Sequence, residues 1–493
     1  MIERIIASII GFLGRALIIA LPLGSLGAKD MQSTTHIVSP PPQKILDHPL
    51  HLHLPFKLSP PGTSLQSIKI QDIHTPLGFH GWLVENKDIP VVTVEFMFVD
   101  AGSKNEIKGK KGLVALLASL MDEGAGDYTS DDFKKFLITN NINLIVSQGV
   151  DNFILGFSVP KTHVAQAFKA MDLILTRLRF DSEPLERIKT HLHLHYTQRK
   201  ENEGERGMEE LEQTLMAGSP YVSSLDDRVA DLRNISATDL KDFMKNHFTK
   251  NKLIISVCGD ISTDELSKLI DTSLKNLPLK ATPEALPDVS FQNLGSLHPI
   301  FMDIPQSLIL FAHPGFKRSD PDYFALDLAM DILGSGELGS RLMNRVREEN
   351  GLVYGIGITK PIYKHYQLIL GNASTHTENV TKVIDLIRSE WKKFIAAGVT
   401  KEELDRAKQR SIGLFPLRLG NTQSIASLLT SIQYYNLGID YLEKRAQAIN
   451  DVTLERVNKL IQERFKDDGL TFVIVGRENS SHAPIQKIKG KSS

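Results

Sequence analysis

An internal repeat constrains the fold of this chain more strongly than any other feature of its sequence. Two sets of residues recur at a nearly constant spacing, 217 residues in one case and 219 in the other. The first set is Ser236, Phe248 and Gly259, repeated as Thr453, Phe465 and Gly476, and the second is Leu185 in L-E-R-I-K, repeated as Leu404 in L-D-R-A-K. A near-constant offset over several elements predicts two homologous halves.

A stretch interrupted by prolines separates the two halves. Three prolines and Gly295 fall within residues 271–297, and such punctuation is typical of a linker. At 493 residues the chain is also too long for one ordinary core. We therefore predict an N-terminal half at 71–270, a linker at 271–297 and a C-terminal half at 298–478.

Patterns typical of strands and of helices both occur in these halves. Residues 91–99 are β-branched and aromatic enough for a strand, and apolar runs at 143–147 and 153–159 flank a turn and predict a hairpin. Apolar residues at helical spacing predict helices at 164–178, 380–395 and 454–465. The predicted fold class is α+β, with each half a mostly antiparallel sheet backed by helices.

The charge balance does not favour a strongly anionic partner. The formal net charge is −1, with 41% hydrophobic and 23% charged residues, which is ordinary for a soluble globular protein. Nothing in this balance favours nucleic acid or an anionic membrane surface as a partner, and we predict no nucleic-acid binding. The single cysteine, Cys258, lies in an apolar run and is predicted to be a small buried hydrophobe rather than a nucleophile.

The first residues follow a secretory pattern. Arg4 and Arg15 precede or interrupt apolar stretches, a compact apolar run follows at 16–23, and small residues come next. We predict a signal peptide at 1–28, export to the periplasm of a bacterium, and no stable membrane insertion after signal removal. An uncleaved anchor at 5–23 is the alternative, although the run after Arg15 is far below the roughly 20 residues that span a bilayer.

Residues 29–70 are predicted to form an extended leader, because their many prolines fix the backbone and remove hydrogen-bond donors. His48, His51 and His53 in this leader could hold a metal weakly, but a solvated linker is the preferred interpretation. At the opposite end, residues 479–493 are predicted to be a polar tail.

The segment after the predicted strand at 91–99 carries a family resemblance. It begins D-A-G-S-K at Asp100, continues K-G-L-V-A-L-L-A-S-L-M to Met121, and ends E-G-A from Glu123. It resembles the start of a domain of the insulinase/pitrilysin family, which are inverzincin-type zinc peptidases. In that family a buried helix at this point carries the motif H-x-x-E-H.

The zinc motif itself is missing from this chain. Aligned on its flanks, the first histidine becomes Ala115, the glutamate Ala118 and the second histidine Ser119. Histidines at i and i+4 grip one zinc ion from one helix face, and the glutamate takes a proton from zinc-bound water. The resemblance places the third ligand near Leu194 or His195, where no glutamate stands. We predict no zinc or other cofactor in this chain and no peptide hydrolysis by it alone.

A histidine cluster near that third position offers a minor alternative. His191 and His195 are spaced i,i+4 and could share a metal on a helix, whereas His193 would point elsewhere. No carboxylate or cysteine partner is close in the sequence. Solvated or core-lining histidines are the preferred interpretation.

The second half matches the family better. It contains S-R-L ending at Leu342 and R-V-R-E-E-N-G-L-V-Y from Arg345 to Tyr354, similar to the family's S-R-L…L-R-E-x-x-G-L-x-Y. The resemblance implies that Arg347 and Tyr354 act in trans, donating to a substrate carbonyl or oxyanion across a closed chamber. A guanidinium fork and a phenol suit that role. The structural alternative is that Arg347 pairs with a neighbouring glutamate and Tyr354 starts a strand.

The resemblance covers roughly residues 70–478 and implies an insulinase-like two-domain clamp. The predicted function is a non-catalytic, substrate-binding subunit of a heterodimeric zinc metallopeptidase that acts on unfolded peptides. Its partner would be a family member bearing H-x-x-E-H and the zinc. Two alternatives stay open: a structural or assembly subunit, and a homodimeric peptide-binding protein of the envelope.

Overall fold

The computed structural model describes residues 68–280, 286–335 and 339–477. The predicted signal peptide, nearly all of the leader with its three histidines, and the polar tail lie outside these residues. Within them, no helix is both long enough and apolar enough to cross a membrane.

The N-terminal half forms one sheet, called here the N-sheet. Its strands are β1 (Ile70–His74), β2 (His80–Glu85), β3 (Val91–Val99), β4 (Asn143–Gln148), β5 (Asn152–Pro160) and β6 (Leu253–Gly259). Their order across the sheet is β1-β2-β6-β3-β5-β4. Only the β2–β6 pair is parallel among these described strands. The strand and hairpin predicted at 91–99 and 143–159 coincide with β3 and with β4–β5.

The C-terminal half forms the C-sheet, with the same strand arrangement except that it lacks a counterpart of β1 in the described residues. Its strands are β7 (Leu297–Phe301), β8 (Ser307–Pro314), β9 (Ile356–Thr359), β10 (Leu368–Thr375) and β11 (Thr471–Gly476). They lie in the order β7-β11-β8-β10-β9, again with one parallel pair, β7–β11.

Helices back each sheet. Those of the N-terminal half are α1 (Leu113–Ser119), α2 (Ser130–Thr139), α3 (Val164–Arg177), α4 (Ser182–Arg199), α5 (Glu203–Met216), α6 (Leu225–Leu232), α7 (Ala237–His247) and α8 (Thr263–Leu274). Those of the C-terminal half are α9 (Tyr323–Gly334), α10 (Val380–Ala397), α11 (Lys401–Gly413), α12 (Thr422–Tyr434), α13 (Tyr441–Asn450) and α14 (Leu454–Arg464). The predicted α+β class is confirmed.

The repeated residues occupy equivalent places in the two halves. Ser236 and Thr453 are the N-caps of α7 and α14, and each side-chain oxygen accepts a hydrogen bond from a backbone N–H of the first turn at 3.2 Å. Phe248 and Phe465 end these helices, and both are buried. The offset read in the sequence therefore marks a structural repeat.

Each sheet packs one face against helices of its own half and the other face against a helix from the opposite half. Helix α12 lies on β6, β3 and β2 of the N-sheet, and α5 lies on β11 and β8 of the C-sheet. A Cβ atom added to Gly207 of α5 would lie only 2.8 Å from Leu310 Cδ1. This close approach requires glycine, and the exchange of helices joins the two halves.

Polar contacts fix α12 on the N-sheet. Thr430 donates to Glu95 at 3.0 Å, Ser427 donates to the same carboxylate, and Gln433 donates to Ser256 at 2.8 Å. Burial raises the pKa of Glu95, and the two hydroxyl donors only partly offset that effect. Cys258, predicted to be a buried hydrophobe, is fully buried in the apolar layer beneath α12.

A buried ionic cluster, called here the junction cluster, also joins the halves. Lys104 donates to Asp100 at 3.1 Å and to Asp151 at 2.8 Å, and its side chain is 1% exposed. From the C-terminal half, Lys364 Nζ donates to both Asp100 oxygens at 2.7 Å and its backbone N–H donates to Asp151 at 2.8 Å. Burial alone would raise the pKa of Asp100, but hydrogen bonds from the surrounding lysines hold it well below its usual range.

Candidate functional site

Helix α1 carries the residues that the sequence aligned with the family's zinc motif, and a carboxylate fixes its first turn. The backbone N–H groups of Gly112 and Val114 donate to Glu106 at 3.2 and 2.9 Å. Gly112 has a φ of 92°, a left-handed conformation that suits glycine at the sharp entry into the helix. A carboxylate at a helix N-terminus satisfies backbone donors that have no partner within the helix.

The degenerate motif positions lie together on one stripe of α1. Ala115, Ala118 and Ser119 are partly exposed, whereas Leu113, Val114, Leu116 and Leu117 on the other faces are fully buried. The side chain of Ser119 is turned back along the helix, and its hydroxyl donates to the Ala115 carbonyl at 3.0 Å. Two methyl groups and a hydroxyl engaged with the backbone do not fit a zinc ion.

A second carboxylate fixes the chain just beyond α1. The Glu123 side chain is 4% exposed and accepts hydrogen bonds from Lys134 and Arg187, both at 2.7 Å, and from Ser130 at 2.5 Å. Burial alone would raise the pKa of Glu123, but these donors outweigh it and lower the pKa. Since Ser130 is on α2 and Arg187 on α4, this one carboxylate ties α1 to both helices.

The histidine cluster lies on α4, so the segment is helical as the metal alternative requires. His191 is exposed and His195 is half-buried. Burial lowers the pKa of His195, with further contributions from Arg199 and His191. Across the described residues, neither histidine belongs to a group of three potential ligands close enough to share an ion. This pair therefore has no third ligand close by within the part of the chain that the structure describes.

One edge of the N-sheet lies beside α1. Among the described strands, β4 pairs with β5 alone, and its second edge carries no strand. Helix α1 contacts β4, so the stripe of Ala115, Ala118 and Ser119 lies on the element next to this edge. An open strand edge offers unpaired backbone groups to an extended peptide.

The C-terminal motif divides into an anchored part and an exposed part. Arg341 is anchored: its guanidinium donates to both Glu403 oxygens at 2.7 Å and to the Gly398 carbonyl at 2.9 Å. The next turn, Met343–Glu348, is a π-helix, with the Glu349 N–H donating to the Asn344 carbonyl at 2.9 Å. Single π-helical turns are frequent at functional sites.

Arg347 and Tyr354 lie close together at the surface. The guanidinium carbon of Arg347 is 5.8 Å from the centre of the Tyr354 ring, and Tyr354 is 77% exposed. Arg347 also pairs with Glu348 at 3.5 Å, as the structural alternative proposed, but both side chains are solvated. Gly351, with a φ of 61°, lets the chain turn between them. The catalytic role of the pair stays a prediction.

Comparison with known proteins bears on both parts of the site. The sequence model of the insulinase family (peptidase family M16) matches residues 83–227, and that of the "Peptidase M16 inactive domain" matches residues 234–411. The chain belongs to the insulinase family. The resemblance stated from the sequence is therefore confirmed. A relative named as a non-peptidase also matches most of the chain.

That relative is the "Non-peptidase homolog YmxG" of Helicobacter pylori, which is 28% identical over 400 residues, or 80% of this chain and 91% of the relative. The mitochondrial-processing peptidase subunit beta of Dictyostelium discoideum is 20% identical over 399 residues, covering 77% of this chain and 83% of its own length. A crystal structure of a peptidase M16 inactive domain from Pseudomonas fluorescens aligns with a TM-score of 0.78 at 22% identity, covering 84% of this chain and 98% of that one.

Several residues that position the family site were not recognised from the sequence. In the sequence, three of them look like ordinary charged residues: Lys104, Glu106 and Glu123. Only their buried contacts in the structure show that they hold α1 and the segments beside it. For the contact at the start of α1, the sequence offered one signal: Glu106 stands six residues before Gly112. Nothing local signals the partners of Lys104 and Glu123 that lie 47 and 64 residues away.

Proposed function

We propose that this chain is the non-catalytic, substrate-binding subunit of a two-chain zinc metallopeptidase that acts on unfolded peptides. The observation that carries the proposal is the contrast within one molecule. Helix α1 offers no zinc ligand, yet Arg347 and the 77% exposed Tyr354 stand side by side at the surface. These are the side chains that the family uses from the half without zinc.

The proposed role follows from what the two side chains can donate. The Arg347 guanidinium is always charged and presents several N–H groups, and the Tyr354 phenol presents one O–H. Aimed at a peptide carbonyl, they would stabilise the negative charge that develops on its oxygen when water attacks. The attacking water needs a metal to activate it, and that metal would be the zinc of a partner chain.

The open edge of β4 suggests how a peptide would be held. An unfolded peptide can add to a free strand edge through backbone hydrogen bonds, without a particular sequence. Ala115, Ala118 and Ser119 are small, partly exposed side chains on the helix that contacts β4. Folded proteins have few extended segments free for such pairing, so substrates would be short or unfolded.

A relative supports the proposed partner. The Dictyostelium protein is by name the beta subunit of a processing peptidase, and so a member of this family can work as one chain of several. For this chain we take the partner to be a family member that carries H-x-x-E-H and zinc. We further propose that the predicted signal at 1–28 directs the chain to the periplasm, where the two would meet.

Steady-state peptide hydrolysis by the reconstituted complex tests the proposal. Tyr354→Phe removes only a hydroxyl, and Arg347→Lys keeps the charge but not the fork. Each is expected to lower kcat on the order of 100- to 1,000-fold, as loss of an oxyanion donor does. The matched control is Arg345→Lys, two residues away in the same π-helical turn, where the arginine pairs with Glu349; its kcat should be unchanged.

Complex formation and zinc content serve as the assembly controls. Gel filtration and metal analysis should give the same values for wild type and every variant, so that any loss of rate reflects chemistry. If both residues act on one developing charge, the double variant is much less impaired than the product of the two single losses. Full activity of the double variant would contradict the proposal and favour a structural or assembly subunit instead.

A further inference from the structure

A group of potential metal ligands lies on the β1–β2 hairpin, away from the elements of the family site. Asp72 and His74 are two residues apart on β1, and His80 is the cross-strand neighbour of His74 on β2. Residues at i and i+2 of a strand share one face, and a directly opposite residue on the paired strand shares it too. All three side chains are exposed on that face.

The ligand atoms are already close together. His74 Nε2 lies 3.2 Å from one Asp72 oxygen, and His80 Nε2 lies 2.5 Å from the other. The centres of the two imidazole rings are 4.8 Å apart. Bonds of roughly 2.0–2.2 Å to nitrogen and oxygen put ligands of one tetrahedral zinc about 3.4 Å apart. Small side-chain rotations would therefore bring all three atoms onto one ion.

The hairpin that carries these residues is held in place by the rest of the N-terminal half. Thr75 donates to Asp271 of α8, and the Leu77 N–H donates to the other oxygen of that carboxylate at 3.1 Å. Lys250 donates to the Leu77 carbonyl, and its ammonium lies 4.8 Å from the centre of the Phe79 ring. A ligand set on a fixed turn loses little conformational freedom when it binds an ion.

We propose that Asp72, His74 and His80 bind one divalent transition-metal ion of the zinc class. Two imidazoles and one carboxylate suit Zn²⁺ and its neighbours better than Mg²⁺ or Ca²⁺, which prefer oxygen ligands. Three protein ligands leave a coordination position for water. His80 also lines a groove of about 190 Å³ between β2 and the end of α12, so solvent reaches the ion from that side.

This site is separate from the peptidase chemistry. It lies on β1 and β2, whereas the degenerate motif is on α1 and the Arg/Tyr pair is on the turn at 343–354. In the N-sheet, β1–β2 and β4 lie at opposite edges. The bound ion would hold the edge strand β1 to β2, and it would stabilise the folded state in proportion to its affinity.

Calorimetric titration of the metal-stripped full chain with Zn²⁺ tests the proposal. Wild type is expected to bind one equivalent through this site. His74→Ala and His80→Ala should each lower the affinity by at least 10- to 100-fold, since even supporting residues of metal sites cost that much when replaced. Added Zn²⁺ should raise the melting temperature of wild type and not of either variant.

Two matched histidine variants make the result specific. The double variant His191→Ala, His195→Ala removes the i,i+4 pair on α4, and the triple variant His48→Ala, His51→Ala, His53→Ala removes the leader histidines. Both should bind Zn²⁺ at the hairpin as wild type does. The proposal would be overturned if either control lost Zn²⁺ binding while the hairpin variants kept it. It would also be overturned if wild type, controls and hairpin variants all bound Zn²⁺ with equal affinity. Because His74 and His80 are exposed, their alanine variants should melt like wild type without metal, which checks their folding.

Discussion

Helix α1 and the turn at 343–354 carry the two motifs that resemble the family's site, and in this chain they differ in almost every physical respect. Around α1 the functional side chains are gone, but Glu106 and Glu123 hold both of its ends through buried hydrogen bonds. In the turn both motif side chains are present: Tyr354 is largely exposed, and Arg347 contacts the solvated Glu348 and, at 4.0 Å, the sulfur of Met343.

This difference indicates what each part does for the protein. The contacts around α1 stabilise a scaffold, so changes there are expected to alter folding stability. An exposed Arg/Tyr pair contributes little to the fold, so changes there should leave stability alone and affect only what the pair meets outside the chain. Stability measurements on matched variants test whether the two regions differ in this way.

The largest loss of stability is expected at the junction cluster, of which Asp100 and Lys104 precede α1 in the chain. Lys104→Met removes the buried ammonium that bridges Asp100 and Asp151, while Lys252 and Lys364 still pair with Asp100. Breaking a buried charge pair costs about 3–5 kcal/mol, and these remaining pairs place the expected loss at the lower end of that range. Urea denaturation measures it. Lys161→Met is the control, because Lys161 is 45% exposed in its pair with Asp260 and should lose no more than about 1 kcal/mol. Equal small losses would mean that the buried ammonium of Lys104 contributes no more to stability than an exposed one.

A smaller loss is expected beyond α1. Glu123→Gln removes the charge that Lys134 and Arg187 bond, which costs about 1.5–3 kcal/mol at neutral pH. Because the folded-state pKa of Glu123 is lowered, its contribution is fully present above the ordinary carboxyl pKa and is lost as pH falls from there through the lowered folded-state pKa. The variant should therefore approach wild type in denaturation experiments at acidic pH. Glu183→Gln is the control, since Glu183 is 74% exposed in its pair with Arg187; a loss as large as that of Glu123→Gln would contradict the account.

The smallest effect separates two arginines of the same motif. Arg341→Ala breaks three hydrogen bonds, two of them to Glu403, and should cost about 2 kcal/mol. Arg347→Ala should stay within about 0.5 kcal/mol of wild type, because its ion pair with Glu348 is solvated and its contact with the Met343 sulfur is long, at 4.0 Å. Thermal unfolding of both variants tests the contrast. If Arg347→Ala proved as destabilising as Arg341→Ala, the pair would be structural.

Much of the fold was predictable because the repeat and local patterns agree with each other. The N-caps Ser236 and Thr453 begin equivalent helices, and β-branched residues at 91–99 form β3. The exchange of α5 and α12 between the sheets was not predictable. An apolar helix face indicates that the helix packs against another element. It does not indicate that this element is a sheet of the opposite half, distant in the sequence.

The site was predictable only where its chemistry is local. The degenerate motif and the Arg/Tyr pair were read from the resemblance of short segments to a family. The first lies on α1, whereas the second spans the π-helical turn and the bend that follows it. The hairpin ligands were missed, although T-P-L-G after His74 is a turn signal that sets His80 opposite it. Charged anchors such as Lys104 were missed because burial depends on packing by distant segments.

The most direct test of the central claim compares three samples in one peptide-hydrolysis assay: this chain alone, its H-x-x-E-H-bearing partner alone, and the two mixed. The account predicts that only the mixture cleaves an unfolded peptide, and that a zinc chelator abolishes the activity, since zinc activates the water and this chain supplies the carbonyl donors. Chelator-sensitive cleavage by this chain alone, or full activity of the partner without it, would contradict the account.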